Sequence, residues 1–179
     1  MPKPVNGRMG GFQLWVNLPR SHKWMDPRYQ EVEHASIPEV ITEQGVTVRV
    51  ICGAYAGMTG PVQDIVADPA FFDVEMGPNM AFKHRIRDGY TLFVYVIRGA
   101  GSFDPQDLQP IRNRQAGLFG DGNEVRVRTG AEPVRFLLLA GKPIGEPVAW
   151  YGPIVMNTQE ELKQAFREYR NGTFFKTTW

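Results

Sequence analysis

An all-β, mainly antiparallel barrel or sandwich carrying one C-terminal helix is the fold class that this 179-residue sequence predicts. Three observations predict it. Apolar and polar residues alternate at a period of two in several short segments, the mark of half-buried strands. Gly, Pro, Asn and Asp punctuate those segments at close intervals. Helical periodicity with start and stop signals appears in one segment only, near the end.

The elements follow in order. Gly11 to Leu18 sets Phe12, Leu14, Val16 and Leu18 against Gln13, Trp15 and Asn17, which predicts a first strand. A short helical turn is expected near Ala35 to Val40. Val46, Val48, Val50 and Cys52 alternate with Thr47, Arg49 and Ile51, and Phe72, Val74 and Met76 alternate with Asp73 and Glu75. Met76-Gly77-Pro78-Asn79 then reads as a turn. Tyr90 to Ile97 is nearly all apolar and rich in aromatic and β-branched residues, so a strand covered on both faces is expected. Arg98-Gly99-Ala100-Gly101 and Gly120-Asp121-Gly122-Asn123 read as further turns, and Val125 with Val127, then Val134 to Leu139, as two more strands. Thr158 and Glu161 make a capping box, each side chain bonding the other's free backbone N–H. Leu162, Ala165, Phe166 and Tyr169 form one apolar stripe behind it, and Gly172 suits the stop.

The chain divides at the turn-rich stretch before Gly45. Residues 1–42 hold one strand and a long irregular piece, too little for a core; residues 45–150 suffice for one barrel; residues 151–179 add an extension and the helix. A strand standing ahead of a complete barrel implies a second sheet that once covered it.

Composition excludes some partners. Twenty Lys and Arg against nineteen Asp and Glu give a formal charge of +1, so no basic surface is expected to draw nucleic acid or anionic membrane. The longest apolar run, Leu92 to Ile97, is far too short to span a bilayer. The N-terminal MPKPVNGRMGG lacks the apolar stretch of a signal peptide, and the one cysteine, Cys52, has no internal partner, so a reducing, cytoplasmic setting is expected.

Small barrels of this kind often hold a metal in the mouth. The three histidines, His22, His34 and His84, have no His, Cys or suitable carboxylate at the usual ligand spacing. A typical cupin barrel carries Gly-x5-His-x-His-x3-4-Glu-x6-Gly and later Pro-x-Gly-x2-His. Counted back from Gly99, the glutamate position falls on Leu92 and the paired histidines on Arg85 and Arg87, or on Ile86 and Asp88. The later histidine position falls on Val125 behind Gly122. The turns of that pattern are present and its ligands are not, so a metal-free barrel is expected, with no catalytic, cofactor-binding or metal-ligating residue assigned.

Other chemistry-bearing residues have plain readings. His84 reads as a loop histidine among Lys83, Arg85 and Arg87, its alternative being a proton shuttle or ligand contact. His22 and His34 read as surface residues in polar loops. Arg112 with Arg114, and Arg126 with Arg128, could each share one strand face, either as a solvated outer surface or as an anion site. Cys52 reads as core. Ser21, Ser36 and Ser102 have no nucleophile-elbow context, and Gly53-x-x-x-Gly57 and Gly117-x-x-Gly120 lead into no phosphate-binding helix.

Gly11-Phe-Gln-Leu-Trp-Val-Asn-Leu-Pro19, then Lys23, Met25, Pro27, Arg28, Tyr29 and Gln30, then Ile37-Pro38-Glu39-Val40, closely resemble the middle of pirins. Leu139-Ala-Gly-Lys-Pro-Ile-Gly-Glu-Pro147 and Tyr151-Gly-Pro-Ile-Val-Met-Asn-Thr158 resemble their C-terminal part, and the resemblance spans nearly the whole chain. It implies a two-cupin architecture in which the N-terminal cupin holds iron through a His-x-His pair and a later His-x-Glu that precedes Met-Pro. Met1-Pro2 would then follow the last ligand directly. Phe12 to Leu18 would be a late strand of that first cupin, and residues 45–150 the jelly-roll C-terminal cupin that binds no metal. The family is associated with quercetin 2,3-dioxygenase activity in several bacterial members and with transcription-factor partners in animals.

Three functions remain open on this reading: a metal-free cupin with a structural or interaction role, part of an iron-dependent flavonol dioxygenase from a split or mis-started gene, or a cupin that binds a small ligand inside its barrel. No cofactor is expected in this chain, whereas iron is expected in the full-length family. The partners expected are a second copy, joined through the N-terminal strand into a dimer, and possible protein partners, with no nucleic acid and no membrane.

Overall fold

The computed structural model describes Gly7, residues 10–103 and residues 109–175. The Met1-Pro2 start lies outside the described residues. Valine-rich alternation builds the first strands: β1 (Glu39–Ile41), β2 (Thr47–Cys52), the small hairpin β3 (Ala54–Tyr55) and β4 (Met58–Thr59), and β5 (Ala70–Met76). The Gly77–Asn79 turn leads to β6 (Ala81–Arg85) and then to the long β7 (Thr91–Ser102), β8 (Pro110–Arg112), β9 (Ala116–Leu118), β10 (Glu124–Arg128) and β11 (Val134–Gly141). A second hairpin, β12 (Ala149–Tyr151) and β13 (Ile154–Met156), precedes the helix α1 (Gln159–Arg170).

Nine strands form one sheet in the order β1-β2-β5-β11-β7-β10-β6, with β8 and β9 also on β7, and every ladder among the described residues is antiparallel. The sheet curls because β7 serves both walls. Its first half pairs with β11 and β9, its last residues with β8 and β10. The bend comes where the register slips, Arg135 facing Arg98 and Phe136 facing Val96, so that Ile97 is the extra residue of a bulge. Gly99 sits beside it at φ 73°, where a Cβ would lie 1.8 Å from the Pro133 carbonyl oxygen.

Curling places Val46, Val48, Val50, Phe72, Val74, Phe82, Val94, Val127, Phe136 and Leu138 inside one apolar core. Phe136 packs edge-on against Phe103 and Phe82, at 5.1 and 6.3 Å between ring centres. The outer face of β2, β5, β7 and β11 carries charge instead. Asp73 is buried there and accepts two hydrogen bonds from Arg135, at 2.9 and 2.6 Å, while Arg49 reaches Glu39 at 2.9 Å and Arg98 reaches Glu75 at 2.6 Å.

A smaller second core holds Ala149, Ile154, Met156, Leu162 and Ala165, with Trp24 and Phe166 packed against it. The capping box forms as the sequence predicts: the Thr158 hydroxyl accepts from the Glu161 N–H at 3.1 Å, and the Glu161 carboxylate accepts from the Thr158 N–H at 3.0 Å. Gly172 closes the helix at φ 71°.

Several expectations are corrected. Residues 10–19 form no strand, because a ladder needs a partner and no described segment offers one. They run across the sheet as an irregular segment, with Phe12 edge-on to Tyr95 at 5.4 Å and with the Lys23 ammonium donating to Asn17 at 2.7 Å and to the Val155 carbonyl at 3.1 Å. The stretch from Thr91 to Ile97 is buried on one face only; Leu92, Val94 and Val96 point inward, whereas Phe93 is exposed and Tyr95 and Ile97 are half-buried. Arg98 to Gly101 lies inside β7 as its bend and makes no turn. The helical turn expected near Ala35 to Val40 is a single 3-10 turn at His34–Ser36, after which the chain extends into β1. No helix among the described residues is long and apolar enough to cross a membrane.

Candidate functional site

On β6 the alternation runs Phe82 and His84 inward and Lys83 and Arg85 outward, and Ile86 continues the inward face just past its end. His84 is thus a strand residue on the core-facing side. Its expected place in a loop is corrected, since the Phe-x-His-x-Ile spacing puts the imidazole on the apolar face. Its Cα is paired with that of Val125 on β10. The ring stands 5.2 Å from Phe72 in an edge-to-face contact, 5.4 Å from Tyr55 and 6.4 Å from Phe82, nearly parallel to the latter. Among the described residues its nitrogens have no hydrogen-bond partner. Burial among these rings pushes its pKa below the ordinary histidine value and favours the neutral imidazole.

A cavity of about 100 Å³ opens beside His84 at this end of the barrel. Gly53, Ala54, Ala70 and Ala140 leave the space, their short side chains standing where larger ones would fill it. Gly53 lies at φ 85°, where a Cβ would come within 3.2 Å of the Ala70 Cα, so the β2–β3 junction can lie close to the start of β5. Asp68, Arg87 and Tyr90 form the rim. The Tyr90 hydroxyl donates to the Asp68 carboxylate at 2.7 Å, and Arg87 pairs with the same carboxylate while its guanidinium lies 5.7 Å from the centre of the Tyr90 ring.

The positions where a cupin barrel holds its metal were counted onto Leu92, Val125, and either Arg85 with Arg87 or Ile86 with Asp88. Leu92, Val125 and Ile86 are buried apolar side chains of the core, and Arg85, Arg87 and Asp88 are exposed. No group of three or more His, Cys, Asp or Glu among the described residues is arranged to hold a metal ion. His84 therefore stands as one nitrogen donor among hydrocarbon and aromatic rings, and this donor set does not fit an iron centre.

The remaining candidates are scattered. His22 and His34 are exposed on separate 3-10 turns. Cys52 is buried at the end of β2, and burial raises its thiol pKa, the reverse of an activated thiolate. Arg126 and Arg128 do share the exposed face of β10, but Arg112 ends β8 and Arg114 lies beyond it in a turn at φ 66°, so those two share no strand face. Among the described residues, Ser21 and Ser36 have no His or carboxylate arranged as a catalytic pair; the Ser21 hydroxyl contacts the neighbouring exposed His22, at 2.8 Å. The sequence reading did not single out Asp68 or Tyr90, which come together at the cavity from distant parts of the chain, nor Tyr55, which packs on the His84 ring.

A family model of the pirin C-terminal cupin domain matches residues 71–175. The chain is 42% identical over 176 residues to a pirin-like protein of Caulobacter vibrioides, covering 97% of this chain and 62% of that one. Human pirin is 38% identical over 175 residues, with coverage of 94% and 59%. The chain thus spans about three fifths of the length of these curated relatives. Among solved structures, a quercetin 2,3-dioxygenase from Acinetobacter baumannii superposes with a TM-score of 0.81 at 30% identity, covering 89% of this chain and 55% of that one. With a shared barrel, and with sequence similarity running far beyond the cupin domain itself, this chain belongs to the pirin family.

Proposed function

We propose that this chain works as a metal-free cupin with a structural and interaction role, its first partner being a second copy of itself. The observation that carries the reading is the segment of residues 12–16. Phe12, Leu14, Trp15 and Val16 are all exposed, Trp15 at 65%, and the segment enters no ladder among the described residues. Exposed apolar groups on an unpaired stretch of backbone recruit another chain, because association removes them from water and satisfies their N–H and C=O groups. Trp150 and Tyr151 add a second exposed aromatic surface on the β12–β13 hairpin.

The barrel interior supports the metal-free half of the proposal. Leu92, Val125 and Ile86 supply no lone pair to a metal, so the flavonol dioxygenase chemistry named for the Acinetobacter relative has no ligand set to act through in this barrel. Light scattering at tens of micromolar is the test of association. A dimer is expected, and Trp15→Ser with Phe12→Ser is expected to shift the particle to a monomer without changing its far-ultraviolet circular dichroism. A wild-type monomer at that concentration overturns the self-association. Elemental analysis of the purified chain should find no stoichiometric iron; one tightly bound iron per chain would overturn the metal-free reading.

A further inference from the structure

The hairpin β12–β13 and the helix α1 leave between them an open groove of about 460 Å³. Its lining includes Trp150 and Tyr151 from the hairpin, Lys163, Arg167 and Arg170 from the helix, and Phe166 between the two. The aromatic wall is held in place. The Trp150 indole N–H donates to the Gly152 carbonyl at 2.7 Å, and Tyr151 stands edge-on to Phe166 at 5.5 Å between ring centres. Yet Trp150 and Tyr151 are 68% and 70% exposed, apolar surface that an occupant of the groove would take out of water.

The helix wall is cationic. Positions 163, 167 and 170 lie four and three apart, so their side chains share one face of α1. Among the described residues no Asp or Glu lines the groove, and none pairs with Lys163, Arg167 or Arg170. The Arg170 Nε donates to the Phe166 carbonyl at 3.3 Å, which keeps this guanidinium close to the aromatic rings. Glu161 lies on the opposite side of the helix, where it is engaged by Arg20 and by the capping box. The N-terminal segment thus reaches α1 from behind, and no residue of 10–25 lines the groove.

Charge and spacing together define the occupant. In an extended segment successive side chains point to opposite sides, and alternate ones stand about 7 Å apart. The three cations follow one another at about 6 and 4.5 Å along the helix axis. A segment in which acidic and apolar residues alternate would set its carboxylates on the cationic wall and its apolar side chains on Trp150 and Tyr151. A nucleic acid or an anionic bilayer fits less well. The formal charge of +1 gives the chain no long-range pull on a polyanion, and three cations are few for a surface whose binding grows with their number.

We propose that this groove docks an extended acidic segment of a partner protein, one in which Glu or Asp alternates with aromatic or aliphatic residues. The inference rests on the interaction role proposed above and adds to it a partner of a different kind, at a site that residues 12–16 do not line.

The probe is the fluorescently labelled peptide acetyl-Glu-Phe-Glu-Leu-Glu-amide, titrated with the intact chain and followed by anisotropy. Controls are a peptide with Gln in place of Glu, a peptide with Ser in place of Phe and Leu, oligothymidylate, and phosphatidylserine vesicles. The acidic peptide is expected to bind saturably and more weakly as salt is raised, with either substituted peptide about tenfold weaker. Lys163→Gln with Arg167→Gln, both exposed positions, is expected to weaken the acidic peptide about tenfold, and Trp150→Ala by a similar factor. The proposal is overturned by no saturable binding, by equal affinity for either substituted peptide, by tighter binding of oligothymidylate or vesicles, or by unchanged affinity in the Lys163→Gln, Arg167→Gln chain. The comparison of peptides on the wild-type chain decides the matter even if a variant does not fold. Light scattering on the same samples keeps the two readings apart: peptide binding by a monomer overturns the self-association and leaves this site standing, whereas a dimer that binds no peptide does the reverse.

Discussion

Two polar side chains, His84 half-buried inside the barrel and Asp73 buried on its outer face, sit under opposite terms. His84 has rings around it and no charge partner, and its pKa lies below the ordinary value of 6.5 because burial disfavours the imidazolium. The groups that line the same cavity are Asp68, Arg85, Arg87 and Tyr90, with Tyr55 packed on the ring itself. A depressed histidine pKa means that the unfolded chain binds the proton more readily than the folded one. Stability from this source is therefore complete above pH 6.5 and falls as the pH drops toward the folded-state value. Thermal unfolding followed between pH 7.5 and 5 should show a shallower acid loss for His84→Phe than for the wild type; parallel curves would mean that the imidazole is not neutral in the fold. Asp73 meets a bidentate Arg135 and a nearby Arg49. Asp73→Ala strands Arg135 on a partly covered sheet face, and the expected loss is about 2 kcal/mol, below the range of about 3–5 kcal/mol for fully buried pairs because the arginine reaches solvent. Urea unfolding of the variant measures it.

Among the elements, β7 and α1 were read from the sequence with unequal success. The helix was fully legible: Thr158, Glu161, the Leu162–Tyr169 stripe and Gly172 are local signals, each effective within one or two turns of chain. Thr158→Ala removes the acceptor for the Glu161 N–H and is expected to lower stability by about 1 kcal/mol, read from the denaturant midpoint. The strand β7 was legible as a strand and illegible as a corner. Arg98-Gly99-Ala100-Gly101 has the composition of a turn, yet the ladder to β8 and β10 carries the bent strand on through Ser102. What Gly99 supplies is a left-handed residue where the backbone of Pro133 leaves no room for a Cβ. Gly99→Ala is expected to destabilise the chain by at least about 2 kcal/mol, from positive φ and from the clash together; a variant as stable as the wild type would show that the bulge does not need glycine. Phe93 was expected to be covered because its whole segment is apolar, but the outer face there is met only in part by the N-terminal segment, which contacts Tyr95 through Phe12.

At the scale of the molecule, the chain has a well-filled barrel and an unusually apolar exterior at two places, residues 12–16 and the Trp150–Tyr151 hairpin. The dimer expected from the first of these should dissociate on dilution and should resist high salt, since burial of apolar area rather than ion pairing would hold it; dissociation by salt would point to the charged outer face of β5 and β11 instead. The sequence by itself determined the all-β class, the β2, β5, β10 and β11 strands, the C-terminal helix and the family, because period-two alternation, capping chemistry and family motifs are carried by neighbouring residues. Only the tertiary structure decided that residues 10–19 pair with no described strand, that Gly99 bends rather than ends β7, and that His84 stands beside a cavity walled by residues from the β2–β3 junction to β11. Those outcomes depend on which distant segment lies alongside, and a ladder partner, a carbonyl 1.8 Å from an absent Cβ, or a cavity between strands exists only once the sheet has curled.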